Sequence, residues 1–364
     1  MQLDFAPFRI GGHSPLEVFD GDSISFADAQ KRLETLQNRF PQGGAIGYFA
    51  YEAAREWEPR AFVRADKTPE IPPFRLVAFE KLRRETPTSF AGETAEMGAP
   101  ELENARRFYE DGVAQIREYI AAGEFYQANL THRIETSTPF SAAQIYARLA
   151  GFGAAPRAAL LQWDDFSIVS NSPETFLTLR DGTLESRPIK GTAPLSQNPQ
   201  TLQNDPKNRA ENVMIVDLLR NDLGRVCEFG SVHVPQLCEI ETFPTLHHLV
   251  STVRGTLREN CTMFDAFRAA FPCGSITGAP KIRAMQRLDE LEPTPRGVSM
   301  GAIGYFGFDG TMEWSVAIRT ATIFGQRAVF HVGGGITTDS APREEFEEMR
   351  LKARALWSAL KSSP

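Results

Sequence analysis

Three glutamates stand on segments with helical periodicity, where carboxylates could bind a divalent cation. At about 100° per residue, Glu211 shares a helix face with Ile215 and Leu218 and so lies within an apolar stripe. A carboxylate in such a stripe has to be paired, protonated or bound to a metal. An ion pair with Arg209 or Arg225 would satisfy it as a metal would, so the residue types leave both possibilities open.

The last predicted helix carries Glu345 and Glu348 one turn apart, with Lys352 a further turn along the same edge. Two carboxylates at this spacing can chelate one hard cation, and a ligand set made only of oxygen suits Mg²⁺. A solvated acidic face with a Glu–Lys pair across one turn accounts for the same residues. The spacing alone does not decide between them.

Lys190 lies in the stretch SRPIKGTAP, between a proline-stiffened strand end and a glycine. A lysine in this position is either a surface charge at a turn or a buried amine placed for chemistry. Because lysines are seldom buried, the stretch taken alone favours the surface charge.

Two glycine-containing loops could receive an anion. Gly333, Gly334 and Gly335 follow a predicted strand, where glycines let backbone N–H groups approach an anion but equally fit a bulge or a tight turn. The stretch CGSITGAPK offers a helix N-terminus to a carboxylate, with Thr277 and Gly278 in the loop. It does not fit a nucleotide triphosphatase, because no lysine directly follows its second glycine.

The sequence predicts that these residues lie on a framework of hairpin-linked strands, with helices between groups of strands. A strand is predicted at 125–135, followed by a meander that turns at Asp181–Gly182, and further strands are predicted at 231–254 and 301–336. This order favours an antiparallel α+β fold over a doubly wound sheet. Helices are predicted at 101–122, 205–222, 262–271, 279–290 and 342–361, the last with Asp339 or Ser340 as its N-cap.

The chain is predicted to have two regions. Residues 1–95 form an N-terminal region that contributes strands, and residues 101–364 form a domain that carries the candidate site residues. Residues 84–100 contain few large apolar side chains, which is typical of a surface linker.

The composition restricts the possible partners and the compartment. The chain has 364 residues, 42% hydrophobic content and a net charge of -7, enough for a sizeable core and ordinary for a globular protein. We expect neither nucleic acid nor a membrane as partner, because no Lys/Arg run and no apolar run of membrane-spanning length occurs. Four cysteines without C-x-x-C spacing and an N-terminus unlike a signal peptide favour a cytoplasmic protein.

A set of motifs follows one order along the chain: SPETF (172–176), RPIKGT (187–192), RAENVMIVDLLRNDLGRV (209–226), PTLHHLVS (244–251), FPCGSITGAPK (271–281), AIRT (317–320), GGGI (333–336) and EEFEE (344–348). Together they resemble the chorismate-utilising enzymes, which include anthranilate synthase component I, aminodeoxychorismate synthase component I, and the isochorismate and salicylate synthases. The resemblance runs from about residue 105 to the end. The N-terminal region matches only weakly and is shorter than in many relatives. The resemblance implies antiparallel β-sheets packed with outer helices.

The resemblance also implies a magnesium-dependent site for chorismate, a dianion. Glu211, Glu345 and Glu348 match the family's Mg²⁺-binding glutamates, which favours the metal over the alternatives above. Glu174 matches the family's general acid and His248 its active-site histidine. Substrate-binding positions are matched by Gly191, Thr192, Tyr305, Arg319, Gly333, Gly334, Gly335 and Lys352.

Two positions divide the family. Gln127 stands where the water-adding enzymes carry a lysine base, which resembles the ammonia-using branch. Lys190 stands where aminodeoxychorismate synthases have lysine and anthranilate synthases usually have alanine. The resemblance therefore implies amination of chorismate to 4-amino-4-deoxychorismate, for p-aminobenzoate and folate synthesis, through a covalent bond to Lys190.

Two alternatives stay open, and a partner is implied. Anthranilate synthase component I is the first alternative, and a catalytically silent chorismate-binding subunit is the second. No cysteine stands in the strand–elbow context of a glutaminase, so the resemblance implies a separate glutamine amidotransferase subunit that supplies ammonia. Conversion of the product to p-aminobenzoate would fall to another protein.

Overall fold

The computed structural model describes residues 1–6, 8–86, 98, 100, 102–243 and 246–361. Short 3-10 helices cover Tyr51–Glu56, Pro59–Ala61 and Gly274–Ile276. The α-helices are α1 (Phe26–Arg39), α2 (Glu103–Ala121), α3 (Ala142–Gly151), α4 (Pro199–Asn204), α5 (Pro206–Gly224), α6 (Met263–Ala270), α7 (Lys281–Leu291) and α8 (Pro342–Leu360).

The strands are β1 (Gln2–Phe5), β2 (Phe8–Asp20), β3 (Gly44–Phe49), β4 (Phe74–Glu85), β5 (Gln127–Ser137), β6 (Arg157–Gln162), β7 (Ser167–Ser172), β8 (Thr175–Arg180), β9 (Thr183–Arg187), β10 (Ile189–Pro194), β11 (His233–Thr242), β12 (Leu246–Thr256), β13 (Gly278–Ala279), β14 (Ala302–Gly307), β15 (Met312–Val316), β16 (Thr320–Phe324) and β17 (Arg327–Ile336).

The pairings between these strands are all antiparallel and form one continuous network. The order is β11–β12–β9–β8–β15–β14–β3–β4–β2–β1–β6–β7–β16–β17–β5–β13, with β10 also pairing with β12. The predicted antiparallel α+β class is confirmed.

The two ends of this network meet around one cavity. Residues of β10 and β12 line one side, and residues of β5 and β17 line the other. Two connections pass between the halves at the cavity: one joins β7 to β8 and the other joins β15 to β16. Side chains on these connections are therefore held by strands at both ends.

Among the described residues, four apolar clusters hold the framework together, of which the smallest comprises Ala193, Leu202, Cys238 and Leu249. The largest contains an aromatic group in which the rings of Phe49, Phe267, Phe306 and Trp314 contact one another. A second packs α2, α3 and α8 against β5 and β17, and a third fills the space between the N-terminal strands and β14. The N-terminal strands belong to the same sheet network, since β3 pairs with β14 and β1 with β6.

Most predicted elements are confirmed, and two local predictions are wrong. The turn between β8 and β9 has Asp181 and Gly182 at φ 49° and 72°, as the sequence indicated. The predicted linker begins too early, because β4 continues to Glu85; residues 87–97 and 99 lie outside the described residues. Neither Asp339 nor Ser340 is the N-cap of α8, since Ala341 takes that position without a side-chain bond. The division at residues 95–101 stays a prediction.

The helices were also tested for membrane-spanning character. Across the ranges given above, no helix combines the length and the hydrophobicity needed to cross a bilayer.

Candidate active site

The cavity between the sheet ends has a volume of about 1010 Å³. It brings together residues that are far apart in the sequence, on strands, helices and both connections. The predicted site residues that line it are Glu174, Lys190, Gly191, Thr192, Glu211, His248, Arg319, Gly333, Gly335, Glu345, Glu348 and Lys352.

A β-bulge directs Lys190 into this cavity. The register of β10 against β12 shifts between Ile189 and Thr192, so that one extra residue of β10 is accommodated. Gly191 takes φ +88° there, and a Cβ on it would lie 3.0 Å from the Asn208 side chain. The glycine of the motif therefore serves to bend the strand and aim its neighbouring lysine.

Lys190 is free to react with a ligand. In the part of the chain that the structure describes, no carboxylate lies within ion-pairing distance of its amine. Glu174 and Glu211 are nonetheless close enough for the lysine charge to act on both carboxyls. The Lys190 charge therefore reaches both Glu174 and one of the three clustered glutamates.

Glu174 lies on the connection between β7 and β8 and is 4% exposed. Burial raises the pKa of this carboxyl to about 7, although a hydrogen bond from Ser275 and the charge of Lys190 oppose the change. Its Oε1 has no hydrogen-bond partner among the described residues. A carboxyl with this pKa can give up and take back a proton near neutral pH, as a general acid must.

Among the described residues, Glu211 forms no ion pair with an arginine. Arg209 donates to the carbonyl oxygen of Gln203 and Arg225 to that of Ala269, so the ion pair considered from the sequence is wrong. Burial raises the pKa of Glu211. The charges of Lys190 and Lys207 lower it, and the neighbouring carboxylates raise it further.

The other two glutamates project from α8 into the same part of the cavity. Glu345 is 5% exposed and accepts a hydrogen bond of 2.6 Å from the Ser340 hydroxyl, while the amine of Lys207 lies 3.7 Å from its Oε1. Glu348 is more exposed, and Lys352 at 2.7 Å lowers its pKa. Ser340 therefore orients a carboxylate instead of capping the helix.

The chemistry of this carboxylate set fits a hard divalent cation. Glu211, Glu345 and Glu348 supply only oxygen ligands from two helices, and their mutual repulsion would be relieved by a cation. As they stand, no three acidic, histidine or cysteine side chains within the described ranges are close enough together to hold a metal ion. Binding would therefore draw the three carboxylates together.

Arg319 provides positive charge to the cavity. Arg319 lies on the connection between β15 and β16 with φ 50°, and burial lowers its pKa. Its guanidinium pairs with no carboxylate among the described residues, which leaves its donors for an anionic ligand. His248 shares a 2.9 Å hydrogen bond with Thr192, and burial together with the Arg319 charge lowers its pKa to about 4. The imidazole is therefore neutral at physiological pH.

Because the three glycines of β17 have no side chain, neighbouring groups can pack closely against this part of the strand. A Cβ on Gly333 would lie 1.8 Å from the Leu130 carbonyl oxygen, and one on Gly335 would lie 2.4 Å from Nε2 of Gln127. Gly334 does not line the cavity. A Cβ on it would lie 3.3 Å from the amine of Lys352, which also donates to the carbonyl oxygen of Gly333.

Gln127 is fully buried behind Gly335 and does not line the cavity itself. Both polar atoms of its amide have no partner among the described residues. A Cβ on Gly335 would also lie 3.3 Å from the Lys190 amine. The Gln127 amide and the Lys190 amine are therefore both next to Gly335.

Three further predicted substrate-binding positions also lie outside the cavity lining. The Thr277 hydroxyl donates to the carbonyl oxygen of Cys273, and Gly278 pairs with Ala128 in the sheet. Tyr305 belongs to the third apolar cluster and is 1% exposed. Its hydroxyl accepts a hydrogen bond of 3.2 Å from Nη2 of Arg84. None of the three lines the cavity, and their role in substrate binding stays a prediction.

Sequence reasoning also missed residues that do line the cavity. Lys207 precedes Glu211 by four residues on α5, a spacing that could have indicated its proximity. Ser275 and Ile276 line the cavity in place of Thr277 and Gly278. Met300, with φ 66°, does so in place of Tyr305, and no sequence signal marked it.

The chain matches the family described as chorismate binding enzyme over residues 81–358. It is 39% identical over 351 residues to aminodeoxychorismate synthase component 1 of Klebsiella aerogenes, covering 88% of this chain and 78% of that protein. It is 45% identical over 263 residues to aminodeoxychorismate synthase of Streptomyces pristinaespiralis, covering 70% of this chain but only 37% of the relative.

A solved structure has the same fold. Anthranilate synthase component I from Streptococcus pneumoniae superposes with a TM-score of 0.83 at 27% identity, covering 98% of this chain and 92% of that chain. The fold expected from the motifs is confirmed.

Proposed function

This chain belongs to the chorismate binding enzymes, and from that premise we propose that it aminates chorismate at C4 to give 4-amino-4-deoxychorismate. The product would serve p-aminobenzoate and folate synthesis. One observation carries the proposal: Lys190 and Glu174 line the same cavity as the three glutamates and as Arg319, which pairs with no carboxylate among the described residues. An amine beside a carboxyl with a pKa of about 7 is the arrangement that a covalent displacement needs.

The charges of the cavity suit a dianionic ring compound. Arg319 would hold one carboxylate of chorismate through paired N–H donors. Glu211, Glu345 and Glu348 would hold Mg²⁺, which when bound would supply positive charge against the ring carboxylate. Lys352 and the backbone of Gly333 and Gly335 would complete the surface on which the ring lies.

In the first half-reaction the ammonium of Lys190 releases a proton to solvent, and the resulting amine attacks C2 of chorismate. The ring double bonds shift and the C4–O bond breaks, while Glu174 gives its proton to the departing hydroxyl, which leaves as water. The result is chorismate joined to Lys190 with the loss of one water. Glu174 is then a carboxylate, next to the carbon that has lost its hydroxyl.

In the second half-reaction ammonia attacks C4. The double bonds shift back, the C2–N bond breaks and Lys190 leaves as an amine, while Glu174 takes a proton from the new ammonium. The sum is chorismate plus ammonia giving 4-amino-4-deoxychorismate plus water. Two displacements in sequence leave the configuration at C4 unchanged. We propose a glutamine amidotransferase subunit as the source of ammonia, in keeping with the component 1 name of the relative.

Product analysis tests this function. The chain is incubated with chorismate, MgCl₂ and ammonium chloride, and the product is identified by mass with and without an added aminodeoxychorismate lyase. We expect 4-amino-4-deoxychorismate, and p-aminobenzoate only with the lyase. Fluorescent anthranilate formed without a lyase would instead identify an anthranilate synthase. Chorismate binding without turnover would identify a silent binding subunit.

A further inference from the structure

Asn129 lies in the wall of the active-site cavity and has no part in the chemistry above. It stands on β5 and is 6% exposed. Its side-chain nitrogen Nδ2 has no hydrogen-bond partner among the described residues. An amide N–H that is buried without an acceptor is unfavourable, and native structures seldom retain one without a reason. An oxygen of a molecule bound in the cavity would supply the missing acceptor.

The sheet places Asn129 beside the reacting amine. In the pairing of β5 with β17, Asn129 is directly opposite Gly335. Residues directly opposite each other in an antiparallel pair point to the same face of the sheet. A Cβ on Gly335 would lie 3.3 Å from the amine of Lys190, so Asn129, Gly335 and Lys190 surround one part of the cavity.

Gln127 is two residues earlier on the same face of β5 but does not satisfy this donor. Both polar atoms of the Gln127 amide are themselves without a partner among the described residues. Gln127 is fully buried and does not line the cavity, whereas Asn129 does. Of these two amides, Asn129 is therefore the one that a molecule in the cavity can reach.

Hydrogen bonds on both sides of the residue fix the backbone of Asn129. Its N–H donates to the carbonyl oxygen of Thr277 at 2.8 Å. Its own carbonyl oxygen accepts a bond of 2.7 Å from Nη2 of Arg296, which is 3% exposed and pairs with Glu292. The direction in which the Asn129 side chain leaves the strand is therefore fixed before a ligand arrives, which lowers the ordering cost of binding.

The donor needs an oxygen acceptor close to the carbon that Lys190 attacks. In the proposed reaction this carbon is C2 of chorismate, which lies between C1 with the ring carboxylate and C3 with the enolpyruvyl group. The ring carboxylate is the group assigned above to the cation and its three glutamates. The oxygens of the group at C3 are therefore the acceptors that remain next to Lys190.

We propose that Asn129 is a substrate-binding residue whose amide N–H donates to an oxygen of the enolpyruvyl group at C3 of chorismate. This inference rests on the proposed function, because that function places C2 at Lys190. A hydrogen bond at C3 and the cation at C1 would hold C2, the carbon between them, towards the amine. Contacts of this kind accelerate a displacement by fixing the geometry of the reacting atoms.

Asn129→Leu tests this contact, because leucine has a similar shape and no N–H to donate. The affinity for chorismate is measured by calorimetry with MgCl₂ in the Lys190→Ala background, where the proposed adduct cannot form. We expect the Kd to be roughly tenfold higher than in Lys190→Ala alone, which corresponds to the loss of one hydrogen bond. Asn129→Asp also lacks the donor and adds a negative charge facing a dianion, so its Kd should rise roughly a hundredfold.

Urea unfolding separates this role from a structural one. Because the Asn129 donor has no partner within the chain, Asn129→Leu should leave the unfolding midpoint unchanged or raise it. Asn171→Leu is the matched control, since Asn171 is 5% exposed, lies outside the cavity lining and bonds through its amide to Gly153 and Ala155. This control should lower the unfolding midpoint and leave the Kd for chorismate unchanged.

Two results would overturn the inference. One is a Kd for chorismate that stays the same in both Asn129 variants. The other is a lower unfolding midpoint of Asn129→Leu together with an unchanged Kd, which would make the residue structural. A chain with Lys190 and Asn129 intact that did not aminate chorismate would contradict the proposed function instead, and this outcome is read from turnover and not from the Kd of the variants.

Discussion

Replacing Glu174 by glutamine should raise stability while it removes activity. The carboxyl is 4% exposed, and burial holds its pKa at about 7 against an ordinary value of 4.5. A glutamine side chain has nearly the same shape and carries no charge to bury. The variant therefore cannot give a proton to the leaving hydroxyl. It also avoids the unfavourable free energy of burying an ionised carboxylate.

The magnitude follows from the two pKa values. The folded-state pKa lies above the unfolded-state value, so stability is fully present below pH 4.5 and falls as pH rises to about 7. The whole difference corresponds to ~3 kcal/mol. Part of it is already lost at about pH 5.5, so between there and about pH 8.5 the stability advantage of Glu174→Gln should grow by ~2 kcal/mol.

Urea unfolding of wild type and variant at several pH values measures this difference. Glu52 provides the control, because it is 6% exposed with a pKa that burial raises to about 7, yet it lies outside the active-site cavity. Glu52→Gln should show the same sign of pH dependence and keep amination activity. A stability difference for Glu174→Gln that did not change with pH, or a variant that kept its amination activity, would refute the reasoning.

Three further outcomes are expected. Gly191→Ala places a methyl group against Asn208 at φ +88° and should cost about 2 kcal/mol of unfolding free energy and slow adduct formation; a stable, fully active variant would show that the bulge does not aim Lys190. Lys207→Gln removes the ammonium beside Glu345 and should tighten Mn²⁺ binding by roughly threefold in calorimetry without substrate, whereas weaker binding would mean that Lys207 orients the carboxylate. Arg319→Lys loses the paired donors and should raise the KM for chorismate roughly 10- to 100-fold, and an unchanged KM would remove Arg319 from the binding surface.

Local sequence patterns predicted the elements that are marked by turn residues at their ends or by helical periodicity along their length. The Asp-Gly turn between β8 and β9 and the long α5 follow from turn chemistry and periodicity. The motif resemblance predicted that Lys190, Glu174 and the three glutamates share one site, and all five line one cavity. No pattern within the RPIKGT stretch predicted the direction of the Lys190 side chain. That direction depends on the bulge against β12, which is a contact between distant segments.

The predicted positions that lie away from the cavity have a common physical cause. Tyr305 stands on β14, which is buried on both faces, so alternation of residue types cannot tell which side faces the cavity. Thr277 and Gly278 were expected at a helix N-terminus, but the chain enters the short strand β13 there, and α7 begins only at Lys281. Facing directions of this kind are set by the surrounding sheet and not by the segment itself.

The covalent role of Lys190 is the central claim, and mass spectrometry of the intact chain tests it most directly. The chain is incubated with chorismate and MgCl₂ in the absence of ammonia, and the adduct is located by peptide mapping. We expect a mass increase equal to chorismate less one water, carried by Lys190, discharged on addition of ammonium and absent from Lys190→Ala. A chain that formed no adduct, together with a Lys190→Ala variant that still aminated chorismate at the wild-type rate, would contradict it.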